Sequence, residues 1–141
     1  MADLVIAVDP GRDKCGVAVV SRDRGVLYKA VVPTAALAAA VAKLAREFGA
    51  ATVVVGDRTT GSAAVKQLSV QPIDGRRLHI VTVDEHRSTD EARHRYWLEN
   101  PPRGLRRLIP TTMQVPPAPV DDYVAVILAE RYFGKSMKYE V

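Results

Sequence analysis

The chain has 141 residues, 48% hydrophobic and 26% charged, and its single cysteine, Cys15, excludes an internal disulfide and a cysteine-based zinc site. No apolar run is long enough to span a bilayer, and no basic region precedes the first apolar stretch, so we expect one cytoplasmic domain over residues 1–141 with no membrane partner. The net charge of +4 favours a polyanionic partner, although many soluble domains carry a similar surplus.

The first part of the chain predicts an antiparallel meander, a helix and a fourth strand. The first apolar run ends at Asp9 and a Pro-Gly turn, which is typical of a strand buried on both faces. Short polar turns separate the first three runs, which predicts antiparallel neighbours. Thr34 is the expected N-cap of the helix. The strands are predicted at residues 4–8, 16–20, 26–32 and 52–55, and the helix at residues 35–48.

The second part predicts one more strand and up to three helices. Ser88 and Glu91 have the spacing of a capping box, and the prolines after Asn100 end the helix that they open. The Pro- and Arg-rich residues 101–119 predict a long functional or mobile loop. The strand is predicted at residues 78–83, a short helix at residues 62–68, and a last helix at residues 120–133 with one apolar face formed by Val124, Ile127, Leu128 and Phe133.

Acidic residues stand at strand ends and at the start of the last helix, namely Asp9, Asp57, Glu85, Asp121 and Asp122. Sites in α/β sheets form at strand ends, and carboxylates suit Mg²⁺ or Mn²⁺, which can activate water for phosphodiester hydrolysis. Each acid also has an ordinary explanation. Asp9 suits the turn, Asp121 and Asp122 suit the helix dipole, and Glu85 has Arg87 close by as an ion-pair partner.

The element order and the acids together resemble the ribonuclease H-like fold. More narrowly they resemble the YqgF (RuvX) family, Holliday junction resolvase-like proteins that are also implicated in maturing the 5′ end of pre-16S rRNA. The matching motifs occur in the right order over nearly the whole chain. They are Asp9-Pro10-Gly11 with Gly16-Val17-Ala18, then Val54-Val55-Gly56, then Asp84-Glu85 with Ser88-Thr89-Asp90-Glu91-Ala92, and finally Val120-Asp121 with Ala125.

The resemblance implies a mixed five-stranded sheet, three antiparallel strands followed by two parallel ones, flanked by helices. It also implies a metal-dependent nuclease acting on junction DNA or structured RNA, with Asp9, Glu85 and Asp121 as catalytic ligands of Mg²⁺ or Mn²⁺. Asp57 and Asp122 are further ligand candidates by position alone. Symmetric cleavage of a junction would need two active sites, as in a homodimer. The candidate nucleic-acid contacts are the basic residues beside the acids, Arg12, Lys14, Arg58, His86 and Arg87.

Departures from the family pattern leave other interpretations open. His86 and Arg87 stand where the family has Arg and Leu, which also fits a catalytically inactive binding or scaffold module. An ATP-binding member of the neighbouring actin-like superfamily is a third interpretation, for which the chain is short. Tyr96 and Trp97 are expected to be core residues rather than stacking platforms for an unpaired base.

Overall fold

The strand order places β1 in the middle of a five-stranded sheet. The structure, a computed structural model, describes residues 3–57, 63–64, 68 and 77–134. Its strands are β1 (Leu4–Asp9), β2 (Lys14–Ser21), β3 (Gly25–Pro33), β4 (Thr52–Gly56) and β5 (His79–Val83). Three α-helices have both ends within the described residues. They are α1 (Leu37–Phe48), α2 (Ser88–Glu99) and α3 (Asp121–Tyr132).

The sheet has the order β3-β2-β1-β4-β5, with β1–β2 and β2–β3 antiparallel and β1–β4 and β4–β5 parallel. Short turns join the antiparallel strands, whereas the parallel pair β1–β4 needs the crossover that α1 provides. Residues 5–8 of β1 have no exposed surface, as predicted for a strand buried on both faces. The predicted mixed sheet is therefore confirmed.

Side chains alternate between the two faces of β1 and so build two cores. Ile6 and Val8 pack with α1, and Val5 and Ala7 pack with α3. Of the helix predicted at residues 62–68, only residues 63, 64 and 68 are described; they are helical, and Ala64 and Leu68 are buried on the α1 side. The rest of that prediction lies outside the described residues.

The last helix is buried on all sides, so the prediction of a single apolar face is wrong. Seven consecutive residues of α3, from Tyr123 to Ala129, are buried. The sheet covers one side of α3 and α2 covers another, with Arg95 pairing to Glu130 at 2.7 Å. A helix between two layers needs apolar residues all round, which hides the amphipathic pattern.

The two predicted N-caps are also wrong. The Thr34 hydroxyl donates to the Gly11 carbonyl oxygen at 2.8 Å, so it ties the end of β3 to the β1–β2 turn and caps no helix. Ser88 is the first helical residue of α2 rather than its cap, because Arg87 adopts a left-handed conformation with φ 57°. Glu91 consequently does not complete a capping box and instead accepts a hydrogen bond from Arg131.

Residues 101–119 form a loop with two short 3₁₀ turns, Gly104–Leu108 and Thr111–Met113. The Gln114 amide donates to the carbonyl oxygens of Arg106 and Ile109, both at 2.9 Å, and so closes the loop on itself. We call residues 101–119 the arginine loop. Among the described helices, none combines the length and apolar character that crossing a lipid bilayer requires.

Gly16 tests how tightly α3 packs on β2. A Cβ at this position would overlap the backbone carbonyl oxygen of Asp121, which cannot move without shifting the helix. We expect Gly16→Ala to lower the free energy of unfolding by about 3 kcal/mol, measured by urea denaturation. Val26→Ala, on the exposed edge strand, is the control and should cost less than about 1 kcal/mol. Equal losses would contradict this packing.

Candidate active site

Asp9 lies between two glycines at one end of the sheet. Its Cα pairs with that of Gly16 on β2, and the register of β1 with β4 continues from Val8 and Val55 to place Gly56 on its other side. Because side chains alternate along strands, Asp9 faces the side of the sheet on which α3 packs, two residues after Ala7 of that core. Asp9 is half-buried there.

Gly16 brings the start of α3 beside Asp9. The space that a Gly16 side chain would fill is occupied by the Asp121 backbone. The Asp121 carboxylate lies 3.6 Å from Lys14 Nζ, on the same strand as Gly16. This ion pair is made by its Oδ2 atom, which is buried and accepts no hydrogen bond from the described residues. A buried carboxylate oxygen needs a positive charge beside it, and the largely exposed Lys14 supplies one at ion-pair distance without a hydrogen bond.

On the opposite side of Asp9, Gly56 leaves the space that the Glu85 side chain occupies. A Cβ on Gly56 would overlap the Glu85 carboxyl group, so the Glu85 side chain folds over the end of β4. Glu85 exposes only 2% of its surface, an unusual degree of burial for a glutamate. Its carboxylate therefore lies against Gly56, the residue beside Asp9 on β4, and is shielded from solvent.

The three acids named as catalytic from the sequence thus lie at one end and on one face of the sheet. Asp9 is in the middle, Glu85 lies over Gly56, and Asp121 lies over Gly16. Within the described residues, however, no three His, Cys, Asp or Glu side chains are arranged to hold a single metal ion together. The predicted metal set of Asp9, Glu85, Asp121, Asp122 and Asp57 remains a prediction.

Asp122 is occupied by protein partners. Lys29 Nζ donates to its Oδ2 at 3.3 Å and lies 4.2 Å from the centroid of the Tyr123 ring, while the Tyr123 amide donates to its Oδ1 at 3.0 Å. Burial lowers the pKa of Lys29, but attraction to Asp122 and its hydrogen bond outweigh it, so the pKa is raised above 10.5. Asp122 therefore serves as the counter-ion of Lys29.

Asp57 supports the loop that carries Glu85. Its Oδ1 accepts a hydrogen bond from the Glu85 amide at 3.2 Å, and its own amide donates to the Val83 carbonyl oxygen at 3.0 Å. Asp57 is otherwise exposed. These two contacts hold the end of β4 against the turn after β5, and so they fix the position of the Glu85 backbone.

Arg131 holds the same loop from the other side and was not singled out in the sequence. Its guanidinium donates to the carbonyl oxygens of Asp84 and His86, both at 2.7 Å, and to Glu91 at 3.0 Å. Glu85 lies between the two carbonyl groups. No local signal could have identified Arg131, because its partners are 40 to 47 positions away.

The predicted nucleic-acid contacts are mostly exposed. Arg12 and Lys14 lie in and after the β1–β2 turn, next to Asp9 and Asp121. His86 and Arg87 follow Glu85 on the other side, and Arg87 Nε lies 3.6 Å from Asp90. Cations therefore flank the acids on two sides. Arg58 lies outside the described residues.

The sheet topology defines a ribonuclease H-like fold. Solved structures with this fold include the following three. Thermus thermophilus RuvC bound to a Holliday junction substrate is 16% identical, with 93% of this chain and 96% of that chain covered and a TM-score of 0.57. Thermus thermophilus RuvC alone is 15% identical over 94% and 97% of the chains, with a TM-score of 0.53. The fowlpox virus Holliday junction resolvase is 11% identical over 93% and 97%, with a TM-score of 0.55.

No protein-family model and no curated protein matches this sequence. The likeness to the solved structures therefore confirms the predicted fold. The narrower resemblance to the YqgF family stays a prediction.

Arg131 gives a first test of how this site is supported. Arg131→Gln removes donors to two loop carbonyl groups, so we expect a loss of about 2 kcal/mol in the free energy of unfolding and faster amide exchange at residues 85–88. Arg24→Gln, an exposed arginine in the β2–β3 turn, should change stability by less than about 0.5 kcal/mol. Unchanged exchange at residues 85–88 would contradict the role of Arg131.

The Lys29–Asp122 pair gives a second test. Because the folded pKa of Lys29 is raised, its stabilising effect is present below 10.5 and is lost as the pH rises through the folded value. We expect Lys29→Gln to cost about 1 kcal/mol or less near neutral pH and nothing at pH values above the folded pKa. Lys43→Gln, 74% exposed, is the control and should show a flat difference. A Lys29→Gln difference independent of pH would contradict the pairing.

Proposed function

We propose that this chain is a metal-dependent nuclease that hydrolyses phosphodiester bonds in branched DNA. The observation that carries the proposal is that Asp9, Glu85 and Asp121 stand at one end and on one face of the sheet, at positions that Gly16 and Gly56 leave open. Their carboxylates do not form a ligand cluster in the described part of the chain, so binding an ion would require these side chains to turn toward it. Carboxylates from three distant parts of a chain repel one another and are costly to gather. A divalent cation bound among them would offset this repulsion.

The donors suit Mg²⁺ or Mn²⁺. All three are oxygen ligands, and Glu85 is almost fully buried. Within the described ranges, Asp121 Oδ2 accepts no hydrogen bond and has Lys14 Nζ at 3.6 Å as its ion-pair partner. When bound, such an ion would lower the pKa of a water molecule and stabilise charge on the phosphoryl oxygens. We assign Asp9, Glu85 and Asp121 as its ligands.

The remaining residues have supporting roles in this proposal. Asp57 positions the Glu85 loop and Asp122 balances Lys29, so neither is assigned as a ligand. The exposed cations Arg12 and Arg87 stand on either side of the acids, where they would attract the phosphates of a bound strand and orient it. Phosphate contacts of this kind are independent of base sequence and weaken with salt.

Branched DNA is the substrate class that the neighbours favour. They are Holliday junction resolvases, and one was solved with its junction. Resolving a junction symmetrically would require two copies of the site, so we further propose a homodimer. A role in maturing pre-16S rRNA rests on the family resemblance alone, and a cytoplasmic location rests on composition alone. Structured RNA is therefore the comparison substrate in the cleavage assay.

Asp9→Asn tests the proposal. The amide fills the same space but loses the negative charge that holds a divalent cation, so cleavage of a four-way junction with Mg²⁺ or Mn²⁺ should fall. Losing several kcal/mol of charge stabilisation corresponds to a decrease of roughly 100-fold or more. Junction affinity should remain, because it depends on the basic residues and falls with salt.

Asp23→Asn is the matched control, since Asp23 is an exposed acid in the β2–β3 turn at the other end of the sheet. It should cleave like the wild type. Full activity in Asp9→Asn would exclude Asp9 as a ligand. Junction binding without cleavage by the wild type under any metal condition would favour the inactive binding module instead, and cleavage of structured RNA alone would change the substrate.

A further inference from the structure

A hollow opens between the end of α2 and the arginine loop. Its volume is about 530 Å³, ample for one nucleobase. One wall is aromatic, with Tyr96 and Trp97 packed edge to face at a centroid distance of 5.2 Å. Arg103 and Arg106 line the loop side. The hollow therefore combines two aromatic side chains with two arginines, and one acid, Glu99, also lines it.

Trp97 separates this hollow from a second one. The second hollow, of about 260 Å³, is lined by Trp97 together with Arg87, Arg93 and His94 of α2 and residues of the arginine loop. The indole Nε1 is buried and has no hydrogen-bond partner within the described ranges, so packing alone fixes the ring. Trp97 is half-buried rather than a core residue as the sequence predicted.

The arginine loop has the composition of a surface that meets a polyanion. It holds three arginines, Arg103, Arg106 and Arg107, and no acidic residue. Large apolar side chains also project from it into solvent, including Leu105 at 83% exposure and Leu108 at 76%. Exposed apolar groups this close together indicate an interaction surface, and the arginines indicate a negatively charged partner.

The first hollow lies against the start of α3, the helix that begins at Asp121. At its edge, Asn100 Nδ2 donates to the Tyr123 hydroxyl at 3.4 Å, and the Tyr96 and Tyr123 rings meet edge to face at 5.8 Å. Tyr123 is two residues after Asp121. Glu85 precedes the other end of α2, and the 12 residues of that helix span about 18 Å. The hollow is therefore within reach of a strand bound near Asp121 that continues along α2.

We propose that the Trp97 hollow receives an unpaired nucleobase of a bound strand while Arg103 and Arg106 contact the phosphates that flank it. The proposal rests on the proposed nuclease function and names how the site would recognise a branch point, where bases leave the duplex. Every base offers a face for stacking on an aromatic ring, so the hollow accepts any base. The exposed leucines of the loop supply apolar contacts to neighbouring unstacked bases.

Trp97 is the chain's single tryptophan, so the intrinsic tryptophan fluorescence of the unmodified protein reports on binding in this hollow. With divalent ions removed to prevent cleavage, single-stranded oligonucleotides should quench its fluorescence. An oligonucleotide of equal length with abasic sites keeps the phosphates but lacks bases, and should not quench. A blunt duplex should not quench either. Parallel titrations with single-stranded DNA and RNA show which strand is preferred.

Substitutions separate stacking from charge. Trp97→Leu should weaken single-strand binding by roughly 5- to 150-fold, measured by anisotropy of a labelled oligonucleotide. Arg106→Ala should weaken it and reduce the dependence of log K on log salt concentration by about 1. Arg24→Ala is the control, because it removes an equal charge in the β2–β3 turn and should change neither quantity. Arg106 is exposed, so this variant should fold even if Trp97→Leu does not.

Equal quenching by abasic and normal strands would overturn the proposal, as would an Arg106→Ala salt slope equal to that of the wild type. Quenching by anionic lipid vesicles but not by oligonucleotides would also overturn it, in favour of a membrane surface. The result is independent of the Asp9→Asn assay. Junction cleavage without base-dependent quenching would overturn the base-binding proposal and leave the nuclease proposal intact. Base-dependent quenching without cleavage would overturn the nuclease proposal and leave the hollow as the binding surface of an inactive module.

Discussion

The absence of side chains on both sides of Asp9 is the constraint on which the site depends. Adjacent strands lie about 4.8 Å apart, so residues beside Asp9 decide what can approach it. At Gly16 the free space admits the backbone at the start of α3, and at Gly56 it admits the Glu85 carboxyl group. Glycine in a strand costs about 0.5–1 kcal/mol relative to alanine. Two glycines therefore carry this cost, and in return the Asp121 backbone and the Glu85 side chain can lie on either side of Asp9.

The Glu85 loop is fixed through its backbone by charged side chains from two different elements. Asp57 accepts from the Glu85 amide, and Arg131 donates to the carbonyl groups of the residues on either side. This works because α2 and α3 run antiparallel, which brings the end of α3 next to the start of α2, as the contact of Arg131 with Glu91 shows. These contacts fix the backbone on both sides of Glu85, and within the loop the Ser88 amide donates to the Glu85 carbonyl oxygen at 2.9 Å.

The sequence predicted the fold, and the position of acids at strand ends, better than it predicted the contacts that support those acids. Apolar runs and turn residues define strands locally, and strand ends mark where carboxylates such as Asp9 collect. Contacts between distant elements leave no local pattern. Arg131 was missed for this reason, and the capping box at Ser88 was misread because the left-handed turn at Arg87 is set by the loop contacts. The prediction of a single apolar face on α3 was wrong for the same reason, because α2 covers the side of that helix that faces away from the sheet.

Asp121 and Asp122 show how one helical step assigns different tasks to identical side chains. Successive helical residues point about 100° apart, so Asp122 turns toward β3 and meets Lys29, whereas Asp121 turns toward the end of β2. Lys29 is half-buried and holds Asp122 at 3.3 Å, but Lys14 is more than half exposed and lies 3.6 Å from Asp121. The charge of Asp122 is therefore balanced within the protein. That of Asp121 is balanced only weakly, and it is the acid of the two that a cation beside Asp9 would stabilise.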